Sequence, residues 1–300
     1  VPAAARSPIG PALLVVVAAV SQEVGAAFAV GLFAALGATG AVFVRFLVAG
    51  AILCAALRPR VRGLCRRAWF SAAGLAGTLT VMNLCFYYSL TRIPLGVAVT
   101  VEVLGPLTLS VVVSKRKSAW LWSVLALAGV AMLSLTGVQV GYLDPVGLAF
   151  AAGAAASWAG YILATARAAS DFPRLDALAI ATAIGALVTA PLAMLSVDSD
   201  AALQWEILGL GVTVGVMSSV VPYSLELMSL RRLPPETFAI LTCLSPVIAA
   251  LAGWLILDQH LAVTGYLAIV LVTVASIGAV RSASGRPTRP ASLPWAQASP

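Results

Sequence analysis

Long apolar runs divide the chain, separated by short polar stretches. Within runs such as 11–30 or 37–57 the apolar residues neither alternate nor keep to one helical stripe; they continue all round. Crossing a bilayer as a helix takes about 20 such residues. A backbone in lipid must satisfy its own hydrogen bonds, which selects α-helix. Outer-membrane strands, with apolar and polar residues alternating over about ten positions, do not fit. The runs fall at 11–30, 37–57, 69–90, 94–113 and 119–136, then at 145–164, 175–195, 206–229, 236–256 and 261–280. The expected fold is therefore an all-α membrane protein with ten transmembrane helices, consecutive ones being antiparallel neighbours. Residues 1–10 form a short lead. The Ser-, Pro- and Arg-rich tail 281–300 is expected to be disordered. The first run has only Arg6 before it and Glu23 inside it, so it reads as a retained helix and not a cleaved signal.

Composition agrees with this. Hydrophobic residues make up 61% and charged residues 10%, against roughly 45–50% and 25% in a soluble domain. A soluble globule and a disordered chain are both excluded. The net charge of +7 would suggest nucleic acid in a soluble protein, but its position argues otherwise. Sixteen of the 18 basic residues lie before, after or between alternate runs, among them Arg58, Arg66 and Arg67; Lys115 and Lys117; Arg167 and Arg174; Arg231 and Arg232. Arg92 falls on the other side, with Asp144, Asp198, Asp200 and Asp258, and Arg45 lies within a run. The excess of basic residues marks the cytoplasmic side and places both termini there. The four cysteines form no CxxC pair, so neither disulfides nor zinc are expected. With one histidine, no HExxH, no GxSxG and no P-loop, the residues for a membrane protease or an ATP-driven pump are missing, and no cofactor is implied.

The sequence repeats. Ser89-Leu90-Thr91-Arg92-Ile93-Pro94 echoes Ser229-Leu230-Arg231-Arg232-Leu233-Pro234 at an offset of 140, and Pro106 and Pro246 share that offset. Residues 11–136 and 145–280 are then two five-helix halves. An odd number of spans per half makes the second enter the membrane from the opposite side, the arrangement of alternating-access carriers with a midplane site.

Three ionisable residues fall near span centres: Glu23, Arg45 and Glu102. A charge at that depth costs a few kcal/mol and normally faces the bundle interior. Glu102 precedes Gly105-Pro106, where the missing amide can kink the helix. It reads either as a substrate or ion site or as a structural partner of Arg45. Arg45 itself is either structural or the counter-charge of a carboxylate that ligands approach. Asn83 and Tyr87, Trp158 and Tyr161, and Tyr223 and Glu226 are three or four apart, so each pair shares a helical face. Cavity lining is one reading; interfacial anchoring, or snorkelling for Glu226, is the other. Glu23 and Glu102 are the two midplane carboxylates. Two like charges in a low-dielectric cavity are not both held ionised, so one can carry a proton.

Asn83-Leu84-Cys85-Phe86-Tyr87-Tyr88-Ser89-Leu90, Ile93-Pro94-Leu95-Gly96-Val97-Ala98-Val99 and Glu102-Val103-Leu104-Gly105-Pro106-Leu107 resemble the EamA branch of the drug/metabolite transporters, and within it the RhtA-type threonine/homoserine exporters. Ser157-Trp158-Ala159-Gly160-Tyr161 and Val221-Pro222-Tyr223-Ser224-Leu225-Glu226 extend the resemblance to the second half. It implies ten helices as two inverted repeats, and ion-driven export of a small metabolite through a central cavity. It carries over Glu102, Asn83, Tyr87, Trp158, Tyr161, Tyr223 and Glu226 as cavity residues. The chain departs from the pattern at Val30, where those exporters tend to have Lys; at Ser245, where a Glu is frequent; and at Asp258-Gln259, where Gly-Glu is usual. The expected protein is a bacterial plasma-membrane exporter of amino acids or related metabolites, not an enzyme. Its partners are a small-molecule substrate, a coupling proton and the lipid bilayer, with room for a homodimer and none for nucleic acid. A carrier of another solute, such as a nucleotide sugar, and a membrane-embedded enzyme are the competing readings.

Overall fold

The computed structural model describes residues 9–59, 61–114, 117–136, 143–172, 176–195, 204–230 and 241–284. Among these the chain is all-helical, with no strand. The helices are α1 (Ile9–Val30), α2 (Phe33–Leu57), α3 (Arg66–Leu90), α4 (Leu95–Glu102), α5 (Leu104–Ser114) and α6 (Lys117–Thr136). They continue as α7 (Pro145–Asp171), α8 (Asp176–Met194), α9 (Trp205–Gly215), a π-helical turn (Val216–Val220), α10 (Val221–Leu230), α11 (Ser245–Leu257) and α12 (Val263–Ser284). Among the described residues six helices are long and apolar enough to cross a membrane: α1, α2, α3, Pro145–Thr165 of α7, α8, and Trp205–Glu226 across the π turn. Leu95–Leu109, Ser245–Leu257 and Val263–Gly278 are shorter apolar helices. Large apolar side chains such as Leu121, Leu187 and Leu255 stand exposed. So much bare apolar surface suits lipid and not water.

The run at 94–113, expected as one helix, is two. The break falls at Val103, three residues before Pro106. Proline has no amide to give the carbonyl four residues earlier, here that of Glu102. The run at 206–229 contains the π turn. The start of the 236–256 run lies outside the described residues. The last helix continues to Ser284, past the boundary expected at 280.

Packing corrects a further expectation. Consecutive helices touch only lightly, and the extensive contacts join the two halves: α3 with α7, α2 with α8, α6 with α12, α1 with α10 and the π turn, and α4 with α11. Short loops tether only the ends of neighbouring helices. Small residues allow close approach elsewhere: Gly96 lies on the Ala250 backbone, and a methyl group at Gly105 would collide with the Ala155 carbonyl. Polar clasps pin the antiparallel α3–α7 pair at both ends. At one, Arg92 Nη1 lies 2.8 Å from Asp144 Oδ2, and Asp144 Oδ1 accepts from the Val146 amide at 2.8 Å, capping α7. At the other, Ser71 donates to Asp171 at 2.6 Å and Arg67 lies 3.3 Å from the same carboxylate. The Leu95 amide that opens α4 donates to Gln259 Oε1 at 2.9 Å, from beyond the end of α11.

Candidate functional site

A cavity of about 70 Å³ lies among these helices. From α1 it takes Val15, Ala19, Gln22, Glu23 and Ala26, whose spacing lays them along one helical face. Met82, Asn83 and Phe86 come from α3, Trp158 and Tyr161 from α7, and Tyr223 and Glu226 from α10. Arg45 of α2 and Glu102, the last residue of α4, reach the same space, with Thr242 just before α11 and Ser245 at its start. The α3–α7 pair and the α1–α10 pair form two walls. The break after Glu102 ends α4 at the cavity, and the close approach at Gly105 seats the following helix on α7.

The guanidinium of Arg45, 4% exposed, is held by the π turn. Its Nε donates to Ser219 Oγ at 2.9 Å, Nη2 to the Ser218 carbonyl at 2.6 Å and Nη1 to the Tyr87 hydroxyl at 3.4 Å. The cation also lies 5.7 Å from the centre of the Tyr87 ring. Among the described residues no carboxylate comes within 4.0 Å of it. A contact pair of Arg45 with Glu102, the structural alternative for that acid, is therefore not formed. The wide π turn redirects a carbonyl sideways, and this neutral acceptor and its neighbours take up the guanidinium instead. Glu23 and Glu102 are buried and interact with each other and with Arg45 only through space. Asn83 donates to the Leu79 carbonyl at 2.8 Å, which fixes its amide on its own helix.

Eight of the ten candidates from the sequence line this cavity: Glu23, Arg45, Asn83, Glu102, Trp158, Tyr161, Tyr223 and Glu226. Tyr87 stands behind them, fully buried between Arg45 and Phe33, whose ring centre lies 5.8 Å away. Pro106 does not line the cavity; its effect is the helix break. Sequence reasoning missed Val15, Ala19, Gln22, Ala26, Met82, Phe86 and Thr242, and noted Ser245 only as a departure from the exporter pattern. Gln22 adjoins Glu23 in an apolar run, and Thr242 lies at the repeat offset of 140 from Glu102. Those two carried a signal; Met82 and Phe86 look like any core residue.

Residues 145–281 match the EamA-like transporter family. The threonine/homoserine exporter RhtA of Escherichia coli is 34% identical over 268 residues, covering 89% of this chain and 90% of that protein. The chain belongs to the EamA-like transporter family. RhtA of Salmonella typhimurium gives the same figures. The uncharacterized transporter YwfM of Bacillus subtilis is 29% identical over 157 residues, 52% of each chain. One solved crystal structure shares the fold with a TM-score of 0.63 and 20% identity, covering 92% of this chain and 96% of that one. The family match falls in the second half, and the likeness to RhtA brings the first half into the same EamA framework. The relatives are transporters, so the cavity belongs to an EamA protein that handles a small molecule in a membrane.

Proposed function

We propose that this EamA protein is a secondary transporter that exports amino acids of the threonine/homoserine kind, or closely related metabolites, across the bacterial plasma membrane. One observation carries the reading: a cavity lined from both halves of the chain holds three carboxylates and one guanidinium. A zwitterion needs both signs. Arg45 suits its carboxylate, Glu23 and Glu102 its ammonium, and charge-assisted hydrogen bonds give such contacts their strength. A nucleotide sugar would need several basic groups for its phosphates, and among the described residues Arg45 is the one basic group that lines the cavity.

Contacts between the halves support two inverted five-span repeats. Thr78 of α3 faces Gly160 of α7, and Ser218 of the π turn faces Gly25 of α1. Thr78 and Ser218 differ by 140, Gly25 and Gly160 by 135. This fits one interface being the other with the halves exchanged. The pairs α2–α8 and α6–α12 are self-matching under that exchange. The clasps Arg92–Asp144 and Arg67–Asp171 each join segments that the charge pattern assigns to one side, which agrees with the alternation of sides read from that pattern. The Arg92–Asp144 clasp and the Leu95–Gln259 bond tie the predicted outer ends, while the lining reaches Val15, Glu226 and Thr242 towards the cytoplasmic ends. This favours a cavity loaded from the cytoplasm. Proton coupling through Glu23 and Glu102 fits two carboxylates without a contact cation.

The test is efflux from cells that lack their own threonine and homoserine exporters. Expression should accelerate release of preloaded labelled threonine or homoserine at least severalfold. Unchanged release of every amino acid tried, with the protein present in the membrane, rejects the function.

A further inference from the structure

The repeat relation makes the cavity lining a comparison of like positions. The offset of 140 pairs Asn83 with Tyr223 and Phe86 with Glu226. The offset of 135 pairs Glu23 with Trp158 and Ala26 with Tyr161. All eight residues line the same cavity. The α3–α7 wall and the α1–α10 wall are therefore one structural wall used twice, with different chemistry. Where one wall presents the rings of Phe86 and Trp158, the other presents the carboxylates of Glu226 and Glu23. At these two positions aromatic stands against acid; at the other two Asn83 stands against Tyr223 and Tyr161 against Ala26.

The aromatic wall is also braced from behind. Trp158 packs against the cluster formed by Val103, Leu107, Ala126 and Val272. Tyr161 packs against two separate core clusters. A ring with such backing cannot retreat, so it bounds the space in front of it. On the acidic wall the position matching Tyr161 is Ala26, which opens room beside Glu23. A solute with a cationic end and an uncharged body has a matching surface for each, on opposite sides.

We propose that the cavity fixes one transverse orientation of its substrate, with the ammonium on the Glu23 wall and the side chain against Phe86 and Trp158, and that the Trp158 indole sets the largest side chain admitted. This rests on the amino-acid reading above and deepens it. Trp158 is then a specificity-determining residue, and Glu23 a binding residue that does not discriminate between side chains. Sites of this type separate neighbouring sizes by about 10–200-fold for an added or lost methylene, so removing a whole ring should re-rank substrates.

The experiment uses the full chain in proteoliposomes. Counterflow of labelled substrate is competed by amino acids from alanine to phenylalanine, and binding of labelled n-alkylamines of graded length is measured alongside. Trp158→Ala should raise the preference for phenylalanine over threonine about tenfold or more. Trp158→Phe, the conservative variant, should shift the ranking in the same direction by less. Glu23→Gln should weaken all members together and leave their order unchanged. Folded Trp158 variants with the wild-type ranking overturn the proposal, and so does a Glu23→Gln protein that re-ranks by size. If Trp158→Ala does not fold, Trp158→Phe decides. If the wild type moves no amino acid, the amino-acid reading fails. The alkylamine ranking then decides this proposal: a Trp158-dependent order supports it, and an unchanged order overturns it.

Discussion

Asp258 ends α11 with φ 53°, a left-handed conformation that glycine adopts without strain and a side chain with Cβ does not. RhtA-type proteins tend to have glycine there. Its side chain is exposed, 3.1 Å from His260, so little packing opposes the change. Asp258→Gly should therefore stabilise the protein by roughly 0.5–1 kcal/mol, read as a higher melting temperature in detergent; an equal or lower one would mean the Asp258–His260 contact matters more. The same scale shows what single residues disclosed. Glu23, Arg45 and Glu102 were legible because a charge in an apolar run demands an interior position. The partner of Arg45 was not legible. Sequence offers an arginine and two acids, and only the fold shows that a π-turn carbonyl and two hydroxyls reach the guanidinium first.

At the scale of elements, α7 is held at its start by Asp144, which caps the helix and meets Arg92. The Arg92 hydrogen bond, with the Val146 amide, keeps this carboxyl below the ordinary aspartate range. A lowered value means stabilisation that is present above the unfolded value of about 3.9 and fades as pH falls through the lower folded value. Asp144→Ala should lower the melting temperature at pH 7 and make less difference near pH 3; an equal deficit at both would exclude this linkage. The π turn makes a second prediction. Each residue of a helix adds about 100° of rotation, so deleting Val220 should turn Tyr223 and Glu226 away from the cavity and detach Arg45. Helix content by circular dichroism should hold while transport drops at least tenfold. Unimpaired transport would show that the π turn does not position the site. Neither this turn nor the break at Val103 was readable as an element boundary, because both lie inside runs of uniform hydropathy. Pro106 gave the only hint.

At the scale of the molecule, the halves meet through α2–α8, α3–α7 and α1–α10, and the charged groups collect in the seam between them. The offset of 140 suggests two halves, but the prolines and Arg92 that carry it say nothing about which helices become neighbours. Apolar faces all round a helix leave that choice open, and small residues such as Gly96 and Gly105 settle it by close contact. Two carboxylates in one seam, neither paired with Arg45, suit proton exchange for substrate. An inward-directed pH gradient without membrane potential should then drive substrate uphill, and Glu23→Gln or Glu102→Gln should alter the pH dependence. A substrate that only equilibrates, with both variants behaving as wild type, would make the protein a facilitator.

The central claim is that the cavity around Glu102 is where an amino acid crosses, and counterflow tests it most directly. Purified protein in proteoliposomes preloaded with unlabelled threonine or homoserine should accumulate the labelled form transiently. Glu102→Gln, which keeps shape and removes charge, should lower that rate tenfold or more at equal protein content, corresponding to the loss of about 1.4 kcal/mol of interaction. Counterflow by the Gln variant at the wild-type rate would contradict the account.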